Sequence, residues 1–517
     1  MPINPNSDKD HVNGYSAKPL ENQVNMYPQF FSRIEFETFR HIQNLSVEFK
    51  NPITVISGSN KSGKTSILLA IACSHYNFHK KDYSNGNFKR TTWGDVMKFT
   101  NYDQQQVDWT YFVSYRNGNR LFERKRGQRK HETKKWNGVA KKETQIGTPV
   151  NGRNSGRKVY FIDLDRIVPA RKLSLSTYRN ARNNNINPLQ NVIIEYVSYV
   201  LERIYNVGVL YANVDNEVFG YENAGYHYSS YNTASGEDVL TRIIEDIVNA
   251  EDGSLILIEE IEIGLHPKIQ RRLMDVLYHE SRRAKKQFIV TTHSSSIIAS
   301  VLPESRIFIE NINNNFRAIS NISINAALTK MDSLSYPLVN IYVEDDESKW
   351  IVMKAIDDIT IHRQGFNLLV RPIIVGSAAD TYKYFKLKAT LYIEEKVNAG
   401  YACILDGDMR DERDGNNNLK YPPEELLFFH HSNEAPEKML LRFYLDANPN
   451  ETLRYHYRFS NPHCLFEKMI EEGICRDRNM AFDLCWNALL ATPEGLQYFE
   501  EMKNFIINSC RKFSNDL

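Results

Sequence analysis

At 517 residues, 42% of them hydrophobic, the chain is too long for one ordinary domain and holds enough apolar residues for two or three cores. A net charge of +1 is silent about nucleic acid, so any basic surface has to be local. Six cysteines with no Cys-x-x-Cys pair exclude a simple disulfide framework or zinc knuckle, and His463-Cys464 reads as an incidental neighbour pair. No stretch approaches the roughly 18 apolar residues of a membrane span, so a soluble, cytoplasmic protein with no membrane partner is expected.

In chain order, residues 1–26 are polar and rich in Pro and Asn, and are expected to form a flexible N-terminal tail without a secretory signal. FSRIEF, LSVEF and ITVIS read as strands, and KTSILLAIA opens a helix. YFVSYRNGNRLFERKR (111–126) reads as a hairpin turning at Asn117-Gly118. VYFIDL is a further strand, and residues 188–206 carry helical apolar spacing. SLILIEE and QFIVTTH are short apolar strands separated by a basic helix over 268–286, which indicates a buried parallel sheet. A second β-α-β-α-β unit starts near Pro337 with NIYVE, LLVRPIIVG, YACILDGD and ELLFFHH as its strands, and the chain is mostly helical from about 438. The expected division is therefore a tail over 1–26, a first domain over 27–333 and a second over 334–517. The first domain holds a basic β insertion at about 110–160 and a helical dimerisation segment at about 171–230.

Gly58-Ser-Asn-Lys-Ser-Gly63-Lys64-Thr65 fits G-x-x-x-x-G-K-[ST] between a strand and a helix, the context of a P-loop. Backbone N–H groups from Gly58, Asn60, Lys61, Ser62, Gly63 and Ser66 at a helix N-terminus suit the phosphates of ATP. Lys64 is expected to reach the β- and γ-phosphates, and Thr65 to ligate Mg²⁺. Glu259 and Glu260 end an apolar strand: the first is the expected magnesium partner, the second the residue that orients and deprotonates water. His293 follows the next strand, near the γ-phosphate. Ser235-Gly236-Glu237 precedes a helix whose N-terminus could hold a γ-phosphate.

Together these pieces resemble the ABC-type ATPase heads of the structural-maintenance-of-chromosomes and DNA-repair class. ASGED (234–238) is similar to the signature, EEIEIGLHP (259–267) to Walker B and the D-loop, and TTHS to the H-loop. The resemblance implies that Ser235 of one protomer touches ATP held by Lys64 of another, closing a head-to-tail homodimer or a higher even oligomer. It also implies a glutamine loop, for which Gln104, Gln105 and Gln106 are candidates. Only 170 positions separate Thr65 from Ser235, so this is a compact version without long coiled-coil arms.

Asp406-Gly407-Asp408 ends a second apolar strand. Alone it reads as a turn cap. Glu344, at the tip of a strand one βαβα unit earlier, changes that reading, because parallel strands put both tips on one carboxyl edge, where open α/β sheets bind ligands. Three carboxylates meeting there repel each other without a cation, and such hard oxygens suit Mg²⁺ or Mn²⁺.

This region resembles a Toprim domain, whose metal-binding Glu and Asp-x-Asp match Glu344, Asp406 and Asp408, and VGSAAD (375–380) resembles its glycine-bearing connection. The tandem is similar to the OLD (overcoming lysogenisation defect) family of ATP-dependent nucleases, which includes Gabija and retron-associated antiphage effectors. The fold class expected is α/β: an ABC/SMC-type P-loop ATPase domain, then a smaller Rossmann-like Toprim domain with a helical C-terminal part. Asp345 and Ser348 depart from the family's Gly and acid, leaving Asp346 and Glu347 as substitutes. The family's further acid is matched by Glu437, and its lysine by Lys438, Lys503 or Lys512.

Residues 116–142 hold eleven Lys and Arg against Glu123 and Glu132, a candidate phosphate-neutralising ribbon in which Trp136 could stack on a base; the bland alternative is a solvated loop. The expected function is an ATP-binding and -hydrolysing, divalent-metal-dependent DNA endonuclease or nickase of antiphage defence. Its implied partner is a reverse transcriptase with its nucleic acid, or a helicase. The alternatives are an ATP-driven DNA clamp, sensor or scaffold with a degenerate Toprim unit, and a toxin acting on RNA or nucleotides.

Overall fold

The computed structural model describes residues 2–82, 87–103, 105–149, 156–182, 184–213, 216–332, 336–395 and 399–514. The chain divides into two compact units, Met1–Ala327 and Leu328–Leu517.

Runs of Ile, Val, Leu and Phe that are apolar on both faces build the main sheet of the first unit. Its parallel strands lie in the spatial order Arg306–Ile312, Ile53–Gly58, Gln287–Thr291, Leu255–Ile258, Val159–Ile162 and Phe78–Asp82. Antiparallel strands Asn315–Ser320 and Asn87–Arg90 close its edges. Every residue of the strands Ile53–Gly58, Leu255–Ile258 and Gln287–Thr291 is buried. This order sets the P-loop, Glu259 and Thr292 beside one another at the carboxyl edge.

A five-stranded antiparallel sheet runs Ile42–Glu48, Gln29–Phe39, Trp109–Asn117, Arg120–Arg129, Trp136–Gly138. The basic stretch is thus no separate insertion, since its hairpin is laid onto the strand Gln29–Phe39. Asn117 pairs with Arg120, so the turn is Gly118-Asn119, one residue later than expected. Phe39 anchors this sheet with Trp93, Trp109 and Tyr111 at ring distances of 5.6, 5.5 and 5.6 Å. Burying aromatics of this size contributes about 1.5–3 kcal/mol each.

The stretch expected to be helical over 171–230 is only partly so. Beside helices Leu175–Arg182 and Asn191–Leu201 it holds a four-stranded antiparallel sheet, of which Asn187–Pro188 lies between the two helices and Tyr205–Asn213, Asn216–Asn223 and Tyr226–Ser229 follow them. Alternation takes over where helical spacing stops: Tyr205 and Val207 are buried and Asn206 between them is exposed. Below this sheet, the buried Lys81 ammonium meets Glu245 at 2.8 Å, Asp246 at 2.8 Å and Glu217 at 3.5 Å. One cation thereby joins the main sheet, the antiparallel sheet and the helix Ser235–Asn249.

Residues 2–26 are not a flexible tail. Helices Pro5–Asn13 and Leu20–Met26 form, and the first packs on the helix Pro267–Ala284. Asp8, 3% exposed, meets His279 at 2.9 Å and Arg282 at 3.1 Å; Lys9 meets Asp275 at 2.7 Å; Tyr278 donates to Asn13 at 3.1 Å. The polar composition that suggested a tail supplies partners for a polar helix face.

The second unit is built on a wholly parallel four-stranded sheet in the order Val370–Ile374, Val339–Val343, Gly400–Leu405, Leu427–Phe429. Helices Asp346–His362 and Ala378–Glu395 connect its strands, and helices Pro436–Ala447, Glu451–Phe459, Leu465–Glu471, Arg478–Leu490 and Pro493–Phe513 follow. Tyr342 pairs with Cys403, so the strands preceding Glu344 and Asp406 end within one residue of each other.

Candidate nucleotide and metal sites

In the first unit, the P-loop turns back over the start of the helix Lys64–Cys73. Gly58 and Gly63 take φ of +152° and +93°, and a Cβ on them would stand 2.4 Å from the Ile309 carbonyl oxygen and 2.6 Å from Ile42 Cδ1. Lys64 donates to the carbonyls of Gly58 at 2.8 Å and Ser59 at 3.1 Å. Burial lowers its pKa to about 8 against the opposing charges of Glu260, Glu262 and Glu259. Thr65 donates to the Glu259 carboxylate, and burial pushes that carboxyl upward despite this bond. The two expected magnesium partners are thus in direct contact. Asn60 and Lys61 are exposed at the loop's tip, Ser62 is buried, and Ser66 accepts a bond from Arg40 at 3.2 Å.

Glu260 sits at φ 43°, held through its backbone: its N–H donates to Thr291 Oγ1 at 2.9 Å and its carbonyl accepts from Arg166 at 2.7 Å. His293 donates its backbone N–H to Glu262 at 2.5 Å, and Thr292 Oγ1 donates to the same carboxylate at 2.7 Å. Burial and the Lys64 charge keep the His293 imidazole below its ordinary pKa. Glu262 was not singled out from the sequence; its place inside EEIEIG is its only signal.

Ser235 is exposed at the start of its helix, with Gly236 half-buried beside it. Glu237 is turned inward, accepting from Tyr205 at 2.7 Å, from Tyr228 at 3.2 Å and from Thr233. It braces the helix against the antiparallel sheet instead of standing ready for phosphate. Of the glutamine candidates, Gln104 lies outside the described residues, Gln105 is buried against Arg129 and Val107, and Gln106 is exposed.

The basic stretch divides in two. Arg116 is buried on Tyr15 at 3.0 Å and the Tyr27 carbonyl at 2.9 Å, and Arg129 is buried beneath Phe99 at 4.0 Å. Trp136, expected as a base-stacking residue, is stacked on Trp93 at 4.3 Å with 6° between the planes. Arg120, Arg124, Lys125, Arg126, Lys134, Lys135, Lys141 and Lys142 face solvent. The helix Pro267–Ala284 uses its cations internally, with Arg272 on Glu202 and Arg283 on Glu280.

In the second unit, Glu344 and Asp406 meet at one sheet edge, with Asp408 two positions further on; among the described residues these three do not form a group whose ligand atoms all lie within 4.8 Å of one another. Glu344 Oε1 accepts from the Asp406 backbone N–H at 2.7 Å, and Asp406 Oδ1 accepts from Ser348 Oγ at 3.0 Å. A Cβ at Gly407 would lie 2.2 Å from the Ser432 carbonyl oxygen, so only glycine fits between the two aspartates. Burial, then the charges of neighbouring carboxylates, pushes Glu344 up to about 7 and Asp406 up to about 9; burial also raises Asp408. Acids so mutually destabilised are a donor set that a hard divalent cation would relieve.

Glu437, fully buried, lies beside them with His463 and Asp345, whose nearest ligand atoms fall within 4.8 Å of one another. Cys464 is not part of this group, and His463 pairs through Nδ1 with Glu437 at 2.8 Å. Its distance of 26 positions from Glu437 gave no local pattern to read. Asp345 Oδ1 caps the helix Asp346–His362 by accepting from the Ser348 N–H at 2.8 Å. Glu347 is taken by Arg478. The lysine candidates pair elsewhere: Lys438 with Glu434 at 3.7 Å, Lys503 with Asp358 at 2.7 Å, and Lys512 with Glu425.

Two family models match, both in the first unit. One described as "AAA domain" covers residues 33–194, and one described as "AAA domain, putative AbiEii toxin, Type IV TA system" covers 240–299. No curated protein shows a match. Solved structures similar to this chain include an SMC head domain from Thermotoga maritima (12% identity, 56% of this chain and 98% of that one, TM-score 0.34). Another is the Smc head domain with an extended coiled coil bound to the C-terminal domain of ScpA, derived from Pyrococcus furiosus (10%, 58% and 98%, 0.38). A third is the recombination mediator RecF-ATPrS (11%, 57% and 99%, 0.34). The AAA matches contain the P-loop in one and Walker B with the H-loop in the other, so the first unit carries a P-loop ATPase domain. Among the described residues, no helix is long and apolar enough to cross a membrane.

Proposed function

We propose that this chain is a cytoplasmic, ATP-controlled DNA endonuclease or nickase of the OLD type, in which an ABC-type ATPase domain governs a Toprim domain, and that it serves antiphage defence. The observation that supports this most is the hydrogen bond that brings Glu344 to Asp406 at one sheet edge, where burial raises both carboxyls.

At the ATPase site, Lys64 would bind the β- and γ-phosphates, Thr65 and Glu259 would hold Mg²⁺, and Glu260 and His293 would orient the attacking water. Ser235, exposed on its own protomer, would contact ATP on a second copy. At the acidic site, Glu344, Asp406 and Asp408 would hold Mg²⁺ or Mn²⁺, while Ser348 fixes the Asp406 carboxylate. A bound divalent ion supplies charge to a phosphodiester oxygen and to the leaving oxygen. The solvent-facing cations from Arg120 to Lys142 would neutralise DNA phosphates without reading sequence. A reverse transcriptase with its nucleic acid, or a helicase, is the partner class in this reading.

A second reading rests on Ser348, a hydroxyl where the family carries an acid: an ATP-driven DNA clamp or sensor without cleavage. Incubating plasmid DNA with the purified protein and Mg²⁺ or Mn²⁺ separates the two. Nicking that disappears in Asp406→Asn while ATP hydrolysis persists supports the nuclease. Absence of nicking under all nucleotide conditions favours the clamp.

A further inference from the structure

We propose a binding site for a nucleoside monophosphate in the first unit, with the buried guanidiniums of Arg157 and Arg116 holding the phosphate and an aromatic wall holding the base. The cavity they line has a volume of about 450 Å³, within the range of small-molecule sites. It lies at the amino edge of the main sheet. Arg157 precedes the strand Val159–Ile162. It donates to the carbonyls of Gly253 at 2.8 Å and Ser254 at 3.0 Å, just before the strand Leu255–Ile258, and to Gln287 Oε1 at 2.7 Å, where the next strand begins. The P-loop, Glu259 and Thr292 follow the opposite ends of these strands, so the cavity is a strand length, about 13 Å, from the P-loop.

Arg157 and Arg116 are 7% and 6% exposed, and both rest on neutral partners. Arg116 donates to the Tyr15 hydroxyl at 3.0 Å and to the carbonyls of Tyr27 at 2.9 Å, Gly118 at 3.2 Å and Gln23 at 3.4 Å. Among the described residues no carboxylate pairs with either guanidinium. Burial lowers the pKa of Arg157 to about 9, and the Arg116 charge adds to that shift. Carbonyls orient a guanidinium without neutralising it, and two buried like charges on one cavity call for an anion. Among the described residues that line the cavity, the carboxylate is Glu143, which is exposed and pairs with Lys141 at 3.5 Å. Paired guanidinium forks match the several oxygens of a phosphate, and the exposed Lys125 is a third cation on the lining.

The rest of the wall suits a planar ring. Phe31 and Phe122 line it, with Phe122 stacked on Tyr115 at 4.8 Å. His75, 5.9 Å from the Phe31 ring, donates Nδ1–H to the Ile71 carbonyl at 2.8 Å. Burial lowers its pKa to about 4, so the imidazole is neutral and Nε2 is an acceptor. An acceptor in an apolar wall matches the N–H of a nucleobase. Inorganic phosphate offers no such donor at that place, and a sugar phosphate has no ring for the aromatic side chains to stack on. The same chemistry is presented by a free nucleotide and by the 5′-terminal nucleotide of a strand.

The test reads binding and neither hydrolysis nor cleavage, so its failure is distinguishable from a failure of the nuclease reading. The full chain carrying Lys64→Met, which silences the P-loop, is titrated calorimetrically with AMP, CMP, GMP and UMP, and with adenosine and inorganic phosphate as controls. The expected result is a monophosphate that binds once per chain, about tenfold or more tighter than either control. Arg157→Lys, which keeps the charge but loses the fork, and Phe122→Ala, at a half-buried position, each weaken that binding about tenfold or more. Short single-stranded oligonucleotides with a 5′-phosphate or a 5′-hydroxyl distinguish the two sources: an Arg157-dependent preference for the 5′-phosphate assigns the site to strand ends, and equal binding of the two assigns it to the free nucleotide. The site is overturned if no monophosphate and no 5′-phosphorylated strand binds, or if affinity is unchanged in folded Arg157→Lys or folded Phe122→Ala.

Discussion

Glu344 and Asp406, 62 positions apart, are joined by a 2.7 Å hydrogen bond from the Asp406 N–H to Glu344 Oε1. The bond is a product of strand register. It follows from two parallel neighbours that end within one residue of each other, and it lets one carboxylate reach across the sheet edge toward the other. That contact concentrates negative charge where the solvent can no longer disperse it.

The pH dependence of stability follows. Burial and mutual repulsion raise the folded-state pKa of Asp406 to about 9 and that of Glu344 to about 7. A raised carboxyl favours folding below its unfolded pKa, and that contribution is lost as pH climbs through the folded value. In EDTA, the melting temperature of the C-terminal unit should fall between pH 5 and pH 9 by about 5 °C or more. Millimolar Mn²⁺ should reverse the fall, and Asp406→Asn should flatten it. Calorimetry showing a melting temperature that rises over this range would contradict the shared-charge account.

At the P-loop, burial holds Lys64 near pKa 8 before phosphates arrive. Anionic phosphates return it to the charged form, so ATP binding at about pH 8.5 should take up a proton. Titration calorimetry in buffers of different ionisation enthalpy measures that uptake. It should be absent in Lys64→Met, whose ATP affinity should drop by about 100-fold or more.

The signature helix gives two opposed expectations. Glu237 is engaged by Tyr205, Tyr228 and Thr233, so Glu237→Ala should cost about 1–3 kcal/mol of stability. Ser235→Arg, at an exposed position, should leave melting and ATP binding unchanged while removing ATP-dependent dimers and lowering hydrolysis about 100-fold. Light scattering with and without ATP separates these; a dimer that survives in Ser235→Arg counts against contact in trans.

Asp8 offers a test far from either site. Asp8→Ala removes a buried carboxylate from His279 and Arg282 and should destabilise the N-terminal unit by about 3 kcal/mol. Deleting residues 1–26 should cost more, because it also uncovers Tyr27, whose hydroxyl bonds Ser281 at 2.8 Å. Denaturant melts with unchanged midpoints would return this segment to the status of a tail.

What could be read from the residues depended on range. The P-loop and the apolar strands carry local signals, and the meeting of Glu344 with Asp406 needed only one inference about parallel strands. His463, Glu437 and Asp345 are brought together by helix packing, which leaves no periodic trace in the chain. Residues 1–26 misled because composition reports solubility in the average, whereas Asp8 is held by His279 and Arg282 and Lys9 by Asp275. The 171–230 region misled because the helix Asn191–Leu201 gives way to strands within a few residues. Lys438, Lys503 and Lys512 could not be ranked by sequence, since a lysine's long side chain lets position say little about reach, and each is paired away from the acids.

The Lys81 clasp bears on how the ATPase unit can work. A side chain 2% exposed, sharing one charge among Glu217, Glu245 and Asp246, penalises any swivel of the helix Ser235–Asn249 that would strand those carboxylates. The helix and the sheet that carries the P-loop are consequently geared together. ATP-driven motion in this unit has to be transmitted as rigid-body travel, with little slack between where nucleotide is gripped and where a second copy is felt.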